Sequence, residues 1–318
     1  MPMESVIQIE GLEHRYGERI ALRGIDLTIE SGEIFGFLGP NGSGKTTLFR
    51  ILSTLVPPQQ GKVAILGMDV AQQREEVRRH IGVVFQSPSL DRELTARENL
   101  WHHGHLYGLR GQDLGKRITQ MLERFGLADR ASERVGSLSG GMRRRVELAK
   151  GLLTRPRILL MDEPGTGLDP SARIEMWNAL AEVRQRDGVT ILVTTHLMDE
   201  AERCDRLAIM DSGRVAACGT PAELKERIGG DVISLSSHDL PALRAAIQKL
   251  GLEAEEVEGT LRLERPRAHE FVPQLVEAMP GLIDSVSVGK PTLEDVFIHV
   301  TGRRLSEETK AGEGKSVV

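Results

Sequence analysis

The segment GPNGSGKT, Gly39 to Thr46, constrains this chain more than any other stretch. It fits the pattern G-x-x-x-x-G-K-[ST]. It follows the apolar run IFGFLG and opens a helical pattern, which is the strand, loop and helix context the pattern requires. Glycines there let consecutive backbone N–H groups turn inward around phosphate oxygens, and a helix N-terminus adds unpaired donors and a favourable dipole. The candidate phosphate-binding segment is Gly39, Pro40, Asn41, Gly42, Ser43, Gly44, Lys45, Thr46 and Thr47. In such a loop Lys45 is expected to reach the β- and γ-phosphates, and the Thr46 hydroxyl to ligate Mg2+.

The surroundings of this loop predict an α/β core. Ile34 to Gly39, Gly82 to Gln86, Arg157 to Glu163 and Thr190 to His196 are nearly continuous apolar runs, which suit parallel strands buried on both faces. Helical stretches lie between them, including Arg143 to Leu153 and Ala172 to Arg186. The first thirty residues instead alternate apolar and polar. Val6 to Glu10, Arg19 to Leu22 and Ile25 to Glu30 read as short strands of an antiparallel sheet with one face in water. A hairpin, Leu207 to Ala217, closes the first domain, which is set at residues 4–228.

A second domain, residues 231–302, reads strand (Val232 to Leu235), helix (Pro241 to Leu250), strand (Glu253 to Glu258), strand (Leu261 to Arg265), helix (Phe271 to Met279) and strand (Ile283 to Val288). That βαββαβ order is the ferredoxin-like α+β arrangement. The amphipathic piece Leu293 to Val300 follows. Residues 303–318 are polar and glycine-containing and are expected to be a disordered tail.

Asp162 and Glu163 stand where the apolar run ILLMDE ends. In open α/β sheets the chemistry sits at the carboxyl ends of strands. Asp162 is placed to hold Mg2+, through water, and Glu163 to polarise an attacking water as general base. A D-E pair by itself fits a structural salt bridge equally well. Beside a phosphate loop it points to phosphoryl chemistry.

LSGGM, Leu138 to Met142, lies just before Asp162 with a helix between. It closely resembles the signature loop of ABC (ATP-binding cassette) ATPases, which other P-loop families lack. The family's remaining motifs appear in order. Tyr16 falls where the family places an aromatic that stacks on adenine, Gln86 matches the Q-loop, GLDP with Asp169 matches the D-loop, and His196 after ILVTT matches the switch histidine. The resemblance covers about residues 4 to 225. It implies a P-loop ABC ATPase domain, with a parallel sheet core plus antiparallel β and helical subdomains.

The resemblance further implies ATP hydrolysis with ATP and Mg2+. Lys45 and the loop amides would hold phosphate; Thr46, Gln86 and Asp162 would serve Mg2+. Glu163 would act on the water, and His196 would steady the γ-phosphate. Ser139, Gly140 and Gly141 would meet the γ-phosphate bound to the opposite subunit, and Asp169 would couple the two sites. One chain carries one copy of each motif, so the family's shared-site arrangement implies a homodimer or a dimer with a related ATPase subunit. Two departures stand out. Met142 replaces the common Gln, as in the branch that exports drugs, antibiotics or polysaccharides. Gly165 stands where the family usually has Thr, which removes a hydroxyl beside the site.

The ending KPTLEDVFIHVTGR is similar to that of ATPases of ABC-2-type exporters, including daunorubicin-resistance subunits. The implied partner is an integral membrane permease of ABC-2 type, docked near Leu90 to Leu100, where Thr95 and Glu98 form a capping box. The implied activity is export of a drug, antibiotic, lipid or polysaccharide. The alternatives are the ATPase of an importer, or a non-transport ABC ATPase acting on ribosome or DNA.

The net charge of −5 argues against nucleic acid as partner. The N-terminus lacks the features of a signal peptide and no apolar run is long enough to span a bilayer. A soluble, cytoplasmic protein held at the inner face of the membrane through the permease is therefore expected. His102, His103 and His105 lack carboxylate or cysteine partners at ligand spacing and read as a polar helix face. Arg143 to Arg145 read as a solvated, phosphate-facing helix side. Cys204 and Cys218 read as small buried residues of a reducing compartment.

Overall fold

The computed structural model describes residues 4–257 and 259–305. Period-two alternation builds its first layer. Strands β1 (Ser5–Tyr16) and β2 (Arg19–Glu30) turn Ile7, Ile9, Ile25 and Ile29 inward and leave the intervening polar side chains outside. Both strands run longer than the alternation predicts. Pairing passes through Gly11 and Gly24, and register shifts around Leu12 absorb the break in pattern.

The apolar runs form the second layer. The chain continues through β3 (Ile34–Leu38), α1 (Lys45–Leu52), β4 (Gln60–Ile65), β5 (Met68–Asp69), α2 (Arg74–His80) and β6 (Ile81–Val84). Then come α3 (Ala96–Leu106), α4 (Gly111–Arg124), α5 (Gly140–Leu152), β7 (Ile158–Asp162), α6 (Pro170–Asp187), β8 (Thr190–Thr195), α7 (Met198–Ala201), β9 (Arg206–Asp211) and β10 (Arg214–Gly219). The antiparallel sheet has the order β2-β1-β4-β5, and the central sheet β10-β9-β3-β8-β7-β6. Pairings β9–β3, β3–β8, β8–β7 and β7–β6 are parallel. Every residue of β3, β7 and β8 is buried. Fully burying one such aliphatic side chain contributes about 1.5–3 kcal/mol.

The helices between β6 and β7 form a subdomain with apolar contacts of their own. Leu114, Ile118 and Leu122 recur at helical spacing on α4 and share a core with Leu100, Leu138 and Val146. Helix α3 starts at the expected capping box. Thr95 Oγ1 accepts from Glu98 N at 3.1 Å, and Glu98 Oε2 accepts from Thr95 N at 2.8 Å. Two residues depart from the polar faces expected of them. His103 is half-buried, and burial with the nearby Lys150 charge pushes its imidazole down to about 4. Arg144 is buried in an ion pair with Glu147.

By compactness the chain divides between Val215 and Ala216. The second unit contains α8 (Pro221–Glu226), β11 (Asp231–Ser236), α9 (Leu240–Lys249), β12 (Glu255–Val257), β13 (Thr260–Arg265), α10 (Ala268–Ala278), β14 (Ser285–Gly289) and α11 (Leu293–Thr301). Helix α8 packs on α11, which draws it into this unit. The sheet order is β12-β13-β11-β14, antiparallel throughout, as in a ferredoxin-like fold. Leu235, Leu243, Leu261 and Leu275 lie in its core. Of the expected tail, residues 306–318 lie outside the described residues.

Candidate nucleotide site

The phosphate loop leaves β3 and enters α1, and its shape is set by close backbone approaches. Gly44 has φ 105°, and a Cβ there would stand 2.7 Å from the Ala21 carbonyl oxygen. Only glycine fits that backbone without strain. A Cβ at Gly39 would overlap the Met210 carbonyl. Pro40, Ser43 and Gly44 are buried, Asn41 and Gly42 are exposed, and Thr46 and Thr47 follow in the first turn of α1, with Thr46 exposed. Lys45 is 3% exposed and its ammonium donates to the carbonyls of Gly39 (2.5 Å) and Pro40 (2.8 Å). Ser43 Oγ is buried with no hydrogen-bond partner. A buried cation beside an unpartnered hydroxyl fits an anionic ligand, since phosphate oxygens accept from both.

Strands β7 and β8 bring the carboxylates to one end of the sheet. Asp162 ends β7 and Glu163 follows it with φ 43°, a left-handed backbone uncommon for a residue with a side chain. The backbone N–H of Glu163 donates to the Thr194 carbonyl oxygen (3.1 Å) and to Thr194 Oγ1 (3.0 Å). The Thr194 hydroxyl donates to Asp162 Oδ1 at 2.5 Å. Glu163 Oε2 gathers three neighbours. Gln86 Nε2 donates to it at 3.2 Å and Thr166 Oγ1 at 3.4 Å. His196 Nδ1 stands 3.1 Å away, at ion-pair distance but outside hydrogen-bond geometry. Gln86, Glu163 and His196, three residues named from separate motifs, thus meet around one oxygen.

The two carboxylates are tuned apart. Burial raises the Asp162 carboxyl. The Thr194 hydrogen bond opposes that, the Glu163 charge adds to it, and Lys45 and Arg50 offset part. Burial also acts upward on Glu163. There His196, Lys45 and Thr166 outweigh it, and the carboxyl lies below the ordinary glutamate range. A buried carboxylate raised by its surroundings, with Gln86 and the start of α1 as further oxygen donors, suits a hard divalent cation.

The other predicted residues occupy separate elements. Tyr16 ends β1, is 44% exposed, and meets the buried His14 ring edge-on at 4.8 Å between centroids. Ser139 caps α5, with Oγ accepting from Met142 N at 3.2 Å, and both it and Gly140 are exposed. A Cβ at Gly140 would meet nothing within 4 Å, whereas one at Gly141 would stand 2.9 Å from the Ala172 Cβ. Gly141 therefore has a packing reason of its own. Asp169 caps α6, with Oδ1 accepting from Ala172 N at 2.9 Å.

Thr194 and Glu200 are not among the residues that the sequence motifs single out. Thr194 was legible in principle, as a hydroxyl inside a wholly buried apolar strand needs a partner. The expectation for Arg143 to Arg145 is corrected at its centre. Arg144 Nη1 donates to the Phe85 carbonyl (3.0 Å) and Glu147 Oε2 (2.9 Å). Glu147 Oε1 accepts from Ser89 N (2.7 Å), and Lys150 Nζ donates to Ser89 O (2.8 Å) and Oγ (2.5 Å). One face of α5 thus grips residues 85–89, the segment that carries Gln86. Helical spacing i, i+3, i+6 puts these three charges in one row.

Comparison with known proteins gives the family. Residues 22–166 match the ABC transporter family, and residues 219–301 match the C-terminal domain of DrrA1-3-like ATP-binding proteins. Over 317 residues the chain is 40% identical to the daunorubicin resistance ATP-binding protein DrrA3 of Streptomyces coeruleorubidus, covering 96% of this chain and 99% of that protein. It is 40% identical over 310 residues to the Nod factor export ATP-binding protein I of Ralstonia nicotianae, covering 95% of each. It is 34% identical over 314 residues to the linearmycin resistance ATP-binding protein LnrL of Bacillus subtilis, covering 95% of this chain and 100% of that one.

Among solved structures, an ATP-binding cassette of an ABC transporter in its ADP conformation aligns with TM-score 0.63 and 27% identity, over 69% of this chain and 92% of that one. The protein cbiO1 of Clostridium perfringens, part of an ABC transporter complex, aligns with TM-score 0.66 and 28% identity, over 78% and 96%. The phosphate loop, the carboxylates at the end of β7 and these likenesses lead to one assignment: the chain belongs to the ABC transporter family of ATP-binding subunits, P-loop enzymes that hydrolyse ATP.

Proposed function

We propose that this chain powers export through a separate integral membrane permease of ABC-2 type, as one half of an ATPase dimer. The observation that carries the reading is the extent of the likeness to drug-resistance and export subunits, which takes in the C-terminal domain as well as the cassette. Among the described residues no helix is long and apolar enough to cross a membrane, which supports a membrane chain as separate partner. The subunit would then sit on the cytoplasmic face. The cassette is taken as residues 4–228 and the small domain as 231–302.

The chain's own residues would do the following. Tyr16 stacks on adenine, and Lys45 with the amides of residues 39–47 holds the phosphates. Thr46, Gln86 and Asp162 would hold Mg2+, which when bound neutralises phosphate charge. Glu163, kept ionised at neutral pH by its neighbours, accepts a proton from water. That water's oxygen bonds the γ-phosphorus while the bond to the β–γ bridging oxygen breaks, releasing ADP and phosphate. His196, 3.1 Å from Glu163, orients this carboxylate and the γ-phosphate. Ser139, Gly140 and Gly141 offer backbone donors at the start of α5 to the nucleotide held by a second copy or a related subunit. Asp169 links the two sites. Loss of the γ-phosphate removes the bridge and lets the pair open.

The test is co-purification. Tagged Glu163→Gln protein with ATP, drawn from gently solubilised native membranes, is expected to bring a polytopic membrane protein in stoichiometric amount. Recovery of ribosomes or DNA complexes instead would overturn the transport reading and leave the ATPase standing.

A further inference from the structure

Glu200 is 1% exposed on the short helix α7, and the mechanism above makes no use of it. Its Oε2 accepts from Thr195 Oγ1 at 2.6 Å, and that hydroxyl accepts from Leu197 N at 3.0 Å. The residues on both sides of His196 are therefore tied through Thr195 to one carboxylate. The other oxygen, Oε1, is buried with no hydrogen-bond partner. It lies over Gly165, where a Cβ would overlap it.

Gly165 opens the turn that follows Glu163, closed by Leu168 N donating to the Gly165 carbonyl at 3.2 Å. The next residue, Thr166, reaches the Glu163 carboxylate. Glu200 thus stands between the segment that carries His196 and the segment that carries Glu163. Around it, Trp177 Nε1 and Arg173 Nε are buried donors outside strict hydrogen-bond geometry, and both act to lower its carboxyl. Burial raises the Glu200 carboxyl, and Thr195, Trp177, Arg173 and His196 act against that only in part. Burying a carboxylate is costly, and packing alone would favour an apolar side chain at this position.

We propose that Glu200 is a positioning residue for ATP hydrolysis: through the Thr195 hydroxyl it fixes the segment bearing His196, and Gly165 leaves room for its carboxylate beside the turn bearing Glu163. The proposal rests on the reading of His196 as a group that acts at the γ-phosphate. Gly165 has no side chain to compete with the Glu200 carboxylate for that space.

The test is a double-mutant cycle on the full chain, with kcat, KM for ATP and thermal unfolding followed together. Thr195→Val keeps the shape and removes the hydroxyl; Glu200→Ala removes the acceptor. Each is expected to lower kcat roughly 10- to 100-fold with KM within about threefold, and the double variant to be no worse than the weaker single, because both break one connection. Glu200→Gln keeps an acceptor oxygen and is expected to restore kcat to within about threefold of the wild type. Multiplicative losses in the double variant, an unchanged kcat in Glu200→Ala, or a rise in KM alone would overturn the proposal. His196→Ala separates the two levels. If it loses turnover while Glu200→Ala and Thr195→Val do not, the positioning role alone falls. If it keeps turnover, the role of His196 falls and the proposal with it.

Discussion

The hydroxyl of Thr194 donates to the Asp162 carboxylate at 2.5 Å and accepts the backbone N–H of Glu163 at 3.0 Å. One side chain on β8 therefore orients both acidic residues at the end of β7. Thr194→Val leaves a buried carboxylate oxygen and a buried N–H each short of one partner. It is expected to cost about 1–3 kcal/mol of stability and to lower kcat roughly tenfold, while Thr194→Ser recovers most of both. Denaturant unfolding and steady-state ATPase assays on the three proteins check this.

Arg144 and Glu147 form a buried pair on α5, 2.9 Å apart, that faces the segment carrying Gln86. Glu147→Ala would strand a guanidinium in the interior, an error that typically costs about 3–5 kcal/mol. Glu147→Gln, which keeps acceptor capacity for Ser89 N, is expected to cost less. The urea midpoint reads the difference, and equal midpoints for Glu147→Ala and wild type would contradict the burial of this pair.

Two glycines separate shape from ligand contact. Gly44→Ala forces a side chain onto φ 105° and against the Ala21 carbonyl. Strain of that kind costs about 1–3 kcal/mol and displaces the amides that face phosphate, so ATP affinity should fall at least about tenfold. Gly140→Ala meets nothing within the chain. It should leave monomer stability within about 0.5 kcal/mol and yet weaken ATP-dependent dimerisation. Calorimetric ATP titration and analytical ultracentrifugation distinguish the two.

His103 gives a pH dependence with a definite sign. Burial, with Lys150 nearby, holds its folded-state pKa at about 4, below the unfolded value of 6.5. Between those values the unfolded chain binds a proton that the folded chain refuses, so stability falls as pH drops from 6.5 to 4 and this contribution levels off below. The full effect is about 3 kcal/mol. His103→Phe keeps a ring against Tyr107, whose centroid is 4.8 Å away, and should flatten the stability profile across that window. An unchanged slope would contradict the assignment.

The parts that sequence exposes are those written in local pattern. Continuous apolar runs mark β3, β7 and β8 because both faces of each are covered. The capping box at Thr95 marks the start of α3 because its partners are three residues apart. What stays hidden depends on partners distant in sequence. Arg144 looks like a surface charge until Phe85 and Ser89 are brought against α5. Glu200 looks like part of an acidic helix start until Thr195 and Gly165 close around it. Gly165 itself reads as a missing hydroxyl, and only the fold supplies the oxygen that fills its place. The β1–β2 ribbon was longer than its alternation because bulges carry pairing through residues that break the pattern.

In the proposed cycle two copies share ATP and Glu163 takes the proton from the attacking water. Sedimentation of Glu163→Gln protein with and without ATP, read beside its hydrolysis rate, tests both parts at once. The expected result is a species of twice the monomer mass that forms only with ATP and persists because hydrolysis has stopped. A monomer at saturating ATP, or turnover near the wild-type rate, would contradict it.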